Sequence, residues 1–166
     1  MNYRIVEMPN FYFVGRYVKV KKNEDPNQAL DVLASSVDLT TEEQLLALCD
    51  SDIKELIQLS YSTAQSFDDP EGEMIHLIGI ISLKDITDTD FAVIEMPACE
   101  WAVFPSEGDF PLCLQQTLND VYFKWLPESK YNLAAHLSFS YTQLKKDDEQ
   151  NTYSEVWVPV LPIEEA

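Results

Sequence analysis

Apolar and polar residues alternate through residues 3–8, break at Pro9 and Asn10, and resume through "FYFVGRYVKV", which predicts two strands joined by a turn. The pattern returns 88 positions later (91 − 3), where "FAVIEMPAC" echoes "YRIVEMPNF" and continues into "CEWAVFPS". Tyr3/Phe91, Ile5/Val93, Val6/Ile94, Glu7/Glu95, Met8/Met96, Pro9/Pro97 and Phe13/Trp101 match in character. A shared "EMP" alone arises by chance in a chain of this length; the matching flanks are what signal a repeated module.

After the second copy the period lengthens to that of a helix. Leu114, Leu118, Val121, Tyr122 and Trp125 form one apolar stripe, with Pro111 suited to the first helical position and Pro127 as the stop. Two strands are expected next, "AAHLSFSYTQL" and "YSEVWVPVL", around the polar loop "KKDDEQNT". In the first half, Asp25 and Pro26 suit the start of a helix over "NQALDVLASSV", and Thr40 and Glu43 have capping-box spacing. "EEQLLALC" and "SDIKELIQLSYS" carry further helical patterns, "SFDDPEGE" reads as a loop, and "MIHLIGIISL" as a strand. The expectation is an α+β fold. Two strand-helix-strand-strand modules with antiparallel sheets, about 1–86 and 87–166, are related by a pseudo-twofold and joined near "KDITDTD" in a single domain.

"HLIGIIS", "FAVIEMPACEWAVFPSEG", a helix ending "VYFKWLPESKY" and the terminal "YSEVWVPV" together resemble the GyrI-like small-molecule-binding domain, also called the AraC effector-binding domain. The likeness is good over residues 74–161, moderate over 3–20 and weak over 21–73. It implies a ligand cleft between the two modules. Members bind lipophilic, often cationic, aromatic compounds, as sensing halves of transcription regulators or as free-standing proteins. Some relatives are implicated in gyrase inhibition, and some hydrolyse electrophilic compounds with a cleft glutamate and aromatic hydroxyls. Because the chain starts at the module's first strand, a helix-turn-helix has no room, and a free-standing protein is expected.

Composition narrows the classes. The 166 residues are 46% hydrophobic with only 4 Gly, enough for a real core without staples. Against 29 acidic side chains stand 11 basic ones, a net charge of −18, which opposes direct binding to a phosphate backbone. No apolar run approaches the roughly 18 residues that span a bilayer, and the N-terminus lacks a leader pattern, so no membrane role and a cytoplasmic location are expected. Cys49, Cys99 and Cys113 are odd in number with no CxxC spacing, and read as free thiols. His76 and His136 are too isolated for a metal site, and no nucleotide or cofactor motif occurs. Neither metal nor cofactor is expected.

The candidate chemistry centres on the last strand. Alternation puts Tyr153, Glu155 and Trp157 on one face and Ser154, Val156 and Val158 on the other, with the valines facing the core. A carboxylate between two aromatic rings is costly to bury alone, yet suits a cation whose charge it balances and whose rings stack. The competing reading is a solvated strand glutamate. The resemblance implies that Glu155 occupies the position of the family's functional glutamate. Trp101 and Tyr141 are candidate cleft walls, and Phe13, the repeat partner of Trp101, would take the pseudo-symmetric place. Glu7 and Glu95 repeat because the module repeats, not as an acid and base pair.

Three functions stay open. One is capture of a hydrophobic cation by Glu155, Trp101, Tyr141, Tyr153, Trp157 and Phe13. Another is hydrolysis by Glu155 with Tyr141 or Tyr153. The third is docking of an acidic surface on a basic protein partner, such as a topoisomerase or a DNA-binding regulator. The chain would act as a monomer or a dimer.

Overall fold

The structure is a computed structural model that describes residues 2–21, 24–51, 55–62, 72–109, 112–133, 139–143 and 152–162. Strands β1 (Arg4–Met8) and β2 (Phe11–Lys21) precede helices α1 (Asn27–Ser36) and α2 (Leu39–Leu48), then β3 (Ile57–Ser62) and β4 (Glu73–Ser82). Strands β5 (Ala92–Met96) and β6 (Cys99–Gly108) lead into helix α3 (Leu112–Asp120). Strands β7 (Tyr131–Leu133), β8 (Phe139–Gln143) and β9 (Thr152–Pro162) complete the order.

All nine strands join one curled antiparallel sheet in the order β1-β6-β9-β8-β3-β4-β2-β5, with β7 beside β9. The order is a palindrome. Exchanging β1 with β5, β2 with β6, β3 with β8 and β4 with β9 reproduces it, so the two modules share one sheet across a pseudo-twofold.

The repeated phrase has a use that the turn reading missed. Strand β1 does not pair with β2; Met8 lies opposite Cys99 and Val6 opposite Trp101 on β6. In the other half Met96 lies opposite Phe11 and Ile94 opposite Phe13 on β2. Each module thus lends its first strand to the other, and the expected hairpins at Pro9 and Pro97 do not form. The turns meet instead: Asn10 accepts a hydrogen bond from the Ala98 amide at 2.7 Å and donates to Glu95 at 3.3 Å. Phe13 and Trp101 occupy equivalent places, as their spacing predicts.

The helices cover one face. Leu33 of α1 and Leu45 of α2 pack on Val14, Ile78 and Ile80. Leu114 and Leu118 of α3, with Val121, Tyr122 and Trp125, pack on Ala102, Phe104, Val156, Val158 and Val160. The predicted stripe holds, and the valines of "YSEVWVPV" lie beneath it. A π-helical turn, Val121–Trp125, widens the helix there, and the chain stays helical through Leu126–Glu128, so Pro127 lies inside the last turn rather than ending it. Pro111 lies outside the described residues.

Three readings of the first half change. Helix α2 is capped by Asp38, whose Oδ1 accepts from the Thr41 amide at 2.8 Å, not by Thr40. That bond holds the Asp38 carboxyl below its usual range. Within "SDIKELIQLSYS", residues 57–62 form β3, not a helix. Pairing on both sides, to β4 and to β8, decides this: a central strand satisfies its backbone from two neighbours, and local helical periodicity cannot compete. At α1 the cap position is Pro26 rather than the expected Asp25; Asp25 Oδ1 accepts from the Asn27 amide at 3.0 Å from one residue outside the cap.

Candidate ligand-binding site

The other face of the sheet carries a cluster of rings to which no described helix contributes. Phe11, Phe13, Trp101, Phe139, Tyr141 and Trp157 are all buried there, beside Leu59 and Leu77. Phe13 meets Phe139 at 4.9 Å between centroids, Trp101 meets Phe139 at 5.3 Å, and Phe139 stacks on Trp157 at 5.4 Å. Such contacts add to the burial of large apolar area. The rings fill the face by touching one another, so a ligand entering here must move some of them.

Glu155 lies at the edge of this cluster and is only 2% exposed, which removes the solvated-glutamate reading. Its position follows from pairing: β9 lies between β6 and β8, with Glu155 opposite Pro105 on one side and Tyr141 on the other. Four donors converge on the carboxylate. Oε1 accepts from the Tyr141 hydroxyl at 2.5 Å and from Trp157 Nε1 at 3.1 Å. Oε2 accepts from the Tyr153 hydroxyl at 2.5 Å and from Arg4 Nη2 at 2.9 Å. Charged acceptors make the stronger hydrogen bonds, and here they replace the water that burial removes.

The electrostatics follow. Burial alone would raise the Glu155 carboxyl pKa, but the hydrogen bonds from Tyr141, Tyr153, Arg4 and Trp157 outweigh it and hold the group below its ordinary 4.5. Burial, and then the bond to Glu155, pushes Tyr153 up to about 12 and Tyr141 higher still. Both phenols therefore stay protonated and act as donors at neutral pH.

The structure thus brings Glu155, Tyr141, Tyr153 and Trp157 into one bonded group and sets Trp101 and Phe13 in the adjoining ring cluster. Sequence reasoning missed Arg4, Phe11 and Phe139. Arg4 reaches Glu155 only because β1 crosses to β6, a pairing that strand patterns do not encode; the available signal was a lone cation on the Val6 and Met8 side of β1. Trp101 Nε1 is buried with no hydrogen-bond partner among the described residues.

Other candidates are placed elsewhere. Glu7 and Glu95 are exposed and lie on separate edges of the sheet. His76 bonds Ser60 at 2.7 Å and is pushed toward its neutral form by burial, while His136 lies outside the described residues. No group of three or more His, Cys, Asp or Glu among the described residues is arranged to hold a metal ion. Cys49, Cys99 and Cys113 form no disulfide. No described helix is long and apolar enough to cross a membrane.

Residues 1–161 match the protein family described as GyrI-like small molecule binding domain. Among solved structures, the chain is similar to SAV2435 bound to tetraphenylphosphonium, with a TM-score of 0.68 and 16% identity over 97% of this chain and 94% of that one. It is similar to the C-terminal domain of EcmrR, with a TM-score of 0.64 and 11% identity over 97% and 98%. A hydrolase from Listeria innocua shares the fold at a TM-score of 0.50 and 9% identity over 96% and 91%. No curated protein matches this chain in sequence.

Proposed function

We propose that this chain, which belongs to the GyrI-like small-molecule-binding family, captures hydrophobic aromatic cations on the helix-free face of its sheet. Glu155 supplies the counter-charge, and Phe11, Phe13, Trp101, Phe139 and Trp157 supply the walls. The observation that carries this reading is the carboxylate itself, 2% exposed, held ionised by four donors and bordered by aromatic rings. An ionised group inside an apolar cluster opposes folding unless something balances it, and a cation with flat rings matches both the charge and the walls. The tetraphenylphosphonium bound to SAV2435 has that chemistry.

Hydrolysis finds less support. A general base works best with a pKa near the working pH, whereas Glu155 is held low and both of its oxygens are engaged. Tyr141 and Tyr153, with raised pKa values, point their hydroxyls at Glu155 rather than at an open position. The reading of an acidic surface docking on a partner rests on the net charge of −18 alone.

Isothermal titration with tetraphenylphosphonium tests the proposal. Saturable binding to the wild type, weakened at least about tenfold (about 1.4 kcal/mol) in Glu155→Gln, is the expected result. Equal affinity in the two proteins removes Glu155 from the site.

A further inference from the structure

Glu155 already has a cation beside it. Of its four donors, three are fixed in the middle of the sheet: Tyr141 on β8, and Tyr153 and Trp157 on β9. Tyr141 is 2% exposed and Trp157 5%. Tyr153 is half-buried, and the fourth donor, Arg4, is the most exposed and the only one on an edge strand. It stands on β1, the terminal strand of the sheet order, and its side chain is 51% exposed. Rotating the Arg4 side chain into water breaks its bond to Oε2 and its contact with the Tyr153 hydroxyl, and leaves the other three donors on the carboxylate. Oε1 keeps Tyr141 and Trp157, and Oε2 keeps Tyr153, so the carboxylate remains hydrogen-bonded at both oxygens after Arg4 leaves.

We infer that Arg4 is the resident cation of the ligand site, and that a ligand binds by exchange: its positive centre takes the place of the Arg4 guanidinium at Glu155. The inference rests on the cation-capture reading above and deepens it.

Exchange explains how a buried carboxylate exists in the free protein. Without Arg4 the empty site would hold an uncompensated negative charge. It also sets the ligand class. The incoming cation must displace a guanidinium that is held by both charge and geometry at 2.9 Å. A small, strongly hydrated ammonium loses its water on entry and gains little beyond what Arg4 already gives. A weakly hydrated onium ion bearing aryl groups gains the ring contacts as well, and those contacts are unavailable to Arg4. The site therefore selects bulky aryl onium ions over small amines. Arg4 is a positioning residue that competes with the ligand, and the apparent affinity falls by the fraction of molecules in which it holds the place.

The test is titration with tetraphenylphosphonium of the wild type, Arg4→Gln, Arg4→Met and Glu155→Gln, each shown to be folded by its melting transition. The expected result is binding at least about fivefold tighter in both Arg4 variants and strongly weakened in Glu155→Gln. Two different replacements separate loss of charge from any gain in apolar contact. A second readout uses the wild type alone: the Arg4 guanidinium NMR signals should shift toward those of a solvent-exposed arginine as the phosphonium saturates the site. If the Arg4 variants bind no tighter while Glu155→Gln loses binding, the cation site stands and the exchange is overturned. Arg4 signals unchanged at saturation likewise overturn it. Absence of binding in all four proteins overturns both readings.

Discussion

One row of paired residues crosses the helix-free face from module to module: Tyr17, Leu77, Leu59, Tyr141, Glu155, Pro105. The pseudo-twofold passes between Leu59 and Tyr141, so Leu77 and Glu155 are equivalent positions in two copies of one backbone. The first module fills its positions with leucines. The second uses a tyrosine and a glutamate, and it draws Arg4 across on the exchanged strand, where the first module has Ala92. On the helix-covered face the copies remain closer in chemistry. Ser60 bonds His76 at 2.7 Å, and their counterparts Thr142 and Ser154 bond each other at 2.8 Å. The backbone repeat is therefore a scaffold, and the charge chemistry is confined to one copy and one face. Gly15 and Gly79, opposite each other in the first module, show the same divergence. A Cβ on either would lie about 2 Å from a backbone oxygen, whereas their counterparts Val103 and Trp157 carry full side chains.

If the difference between the copies is set by donors rather than by burial, moving the charge without its donors should be the most damaging change. Leu77→Glu places a carboxylate in a fully buried position, opposite Leu59 on one side and Tyr17 on the other but without the four donors that hold Glu155, and should cost roughly 3–5 kcal/mol in urea unfolding. A loss under about 1 kcal/mol would mean that the first module can solvate a charge, and the comparison would collapse.

Giving the second module the residue of the first is the reciprocal change. Glu155→Leu leaves the hydroxyls of Tyr141 and Tyr153 without their acceptor, and should destabilise by roughly 2–4 kcal/mol. Adding Tyr141→Leu removes one orphaned donor and should recover about 1 kcal/mol, visible as non-additivity in a double-mutant cycle. Strict additivity would show that the bond between them carries no energy of its own.

Lowering the pH probes the same carboxylate more gently. Its folded pKa lies below the ordinary 4.5, so the folded state binds the proton less readily than the unfolded chain does. The stability it contributes is fully present above that ordinary value and is lost as pH falls through the lower folded value. Wild type should therefore lose its advantage over Glu155→Gln in that acid window and keep it at neutral pH. A stability gap that does not narrow on acidification would place the charge elsewhere.

The smallest effect is expected where the two copies agree. Glu7 and Glu95 repeat and are exposed, and changing both to Gln should alter stability by no more than about 0.5 kcal/mol and leave phosphonium binding unchanged. A larger loss would give the repeated glutamates a role beyond the module's geometry.

Much of this was legible in the sequence because it depends on neighbours along one strand. The alternation of "YSEVWVPV" sets Tyr153, Glu155 and Trp157 on one face, and the stripe from Leu114 to Trp125 gives the covering helix. What stayed hidden depends on which strands become neighbours. Nothing local to "YRIVEM" says that it pairs with β6 rather than β2, so Arg4 could not be assigned to Glu155. "IQLSYS" carries a helical pattern that only its two flanking strands override.

The most direct test of the central claim compares two probes of one shape and opposite charge, tetraphenylphosphonium and tetraphenylborate, titrated into the wild-type protein while tryptophan fluorescence is followed. Trp101 and Trp157 stand among the candidate walls and should report occupancy. The account predicts saturable quenching by the phosphonium and none by the borate at the same concentrations. Equal binding of both would contradict it, since the face would then be recognising shape and apolar area with no part played by the buried carboxylate.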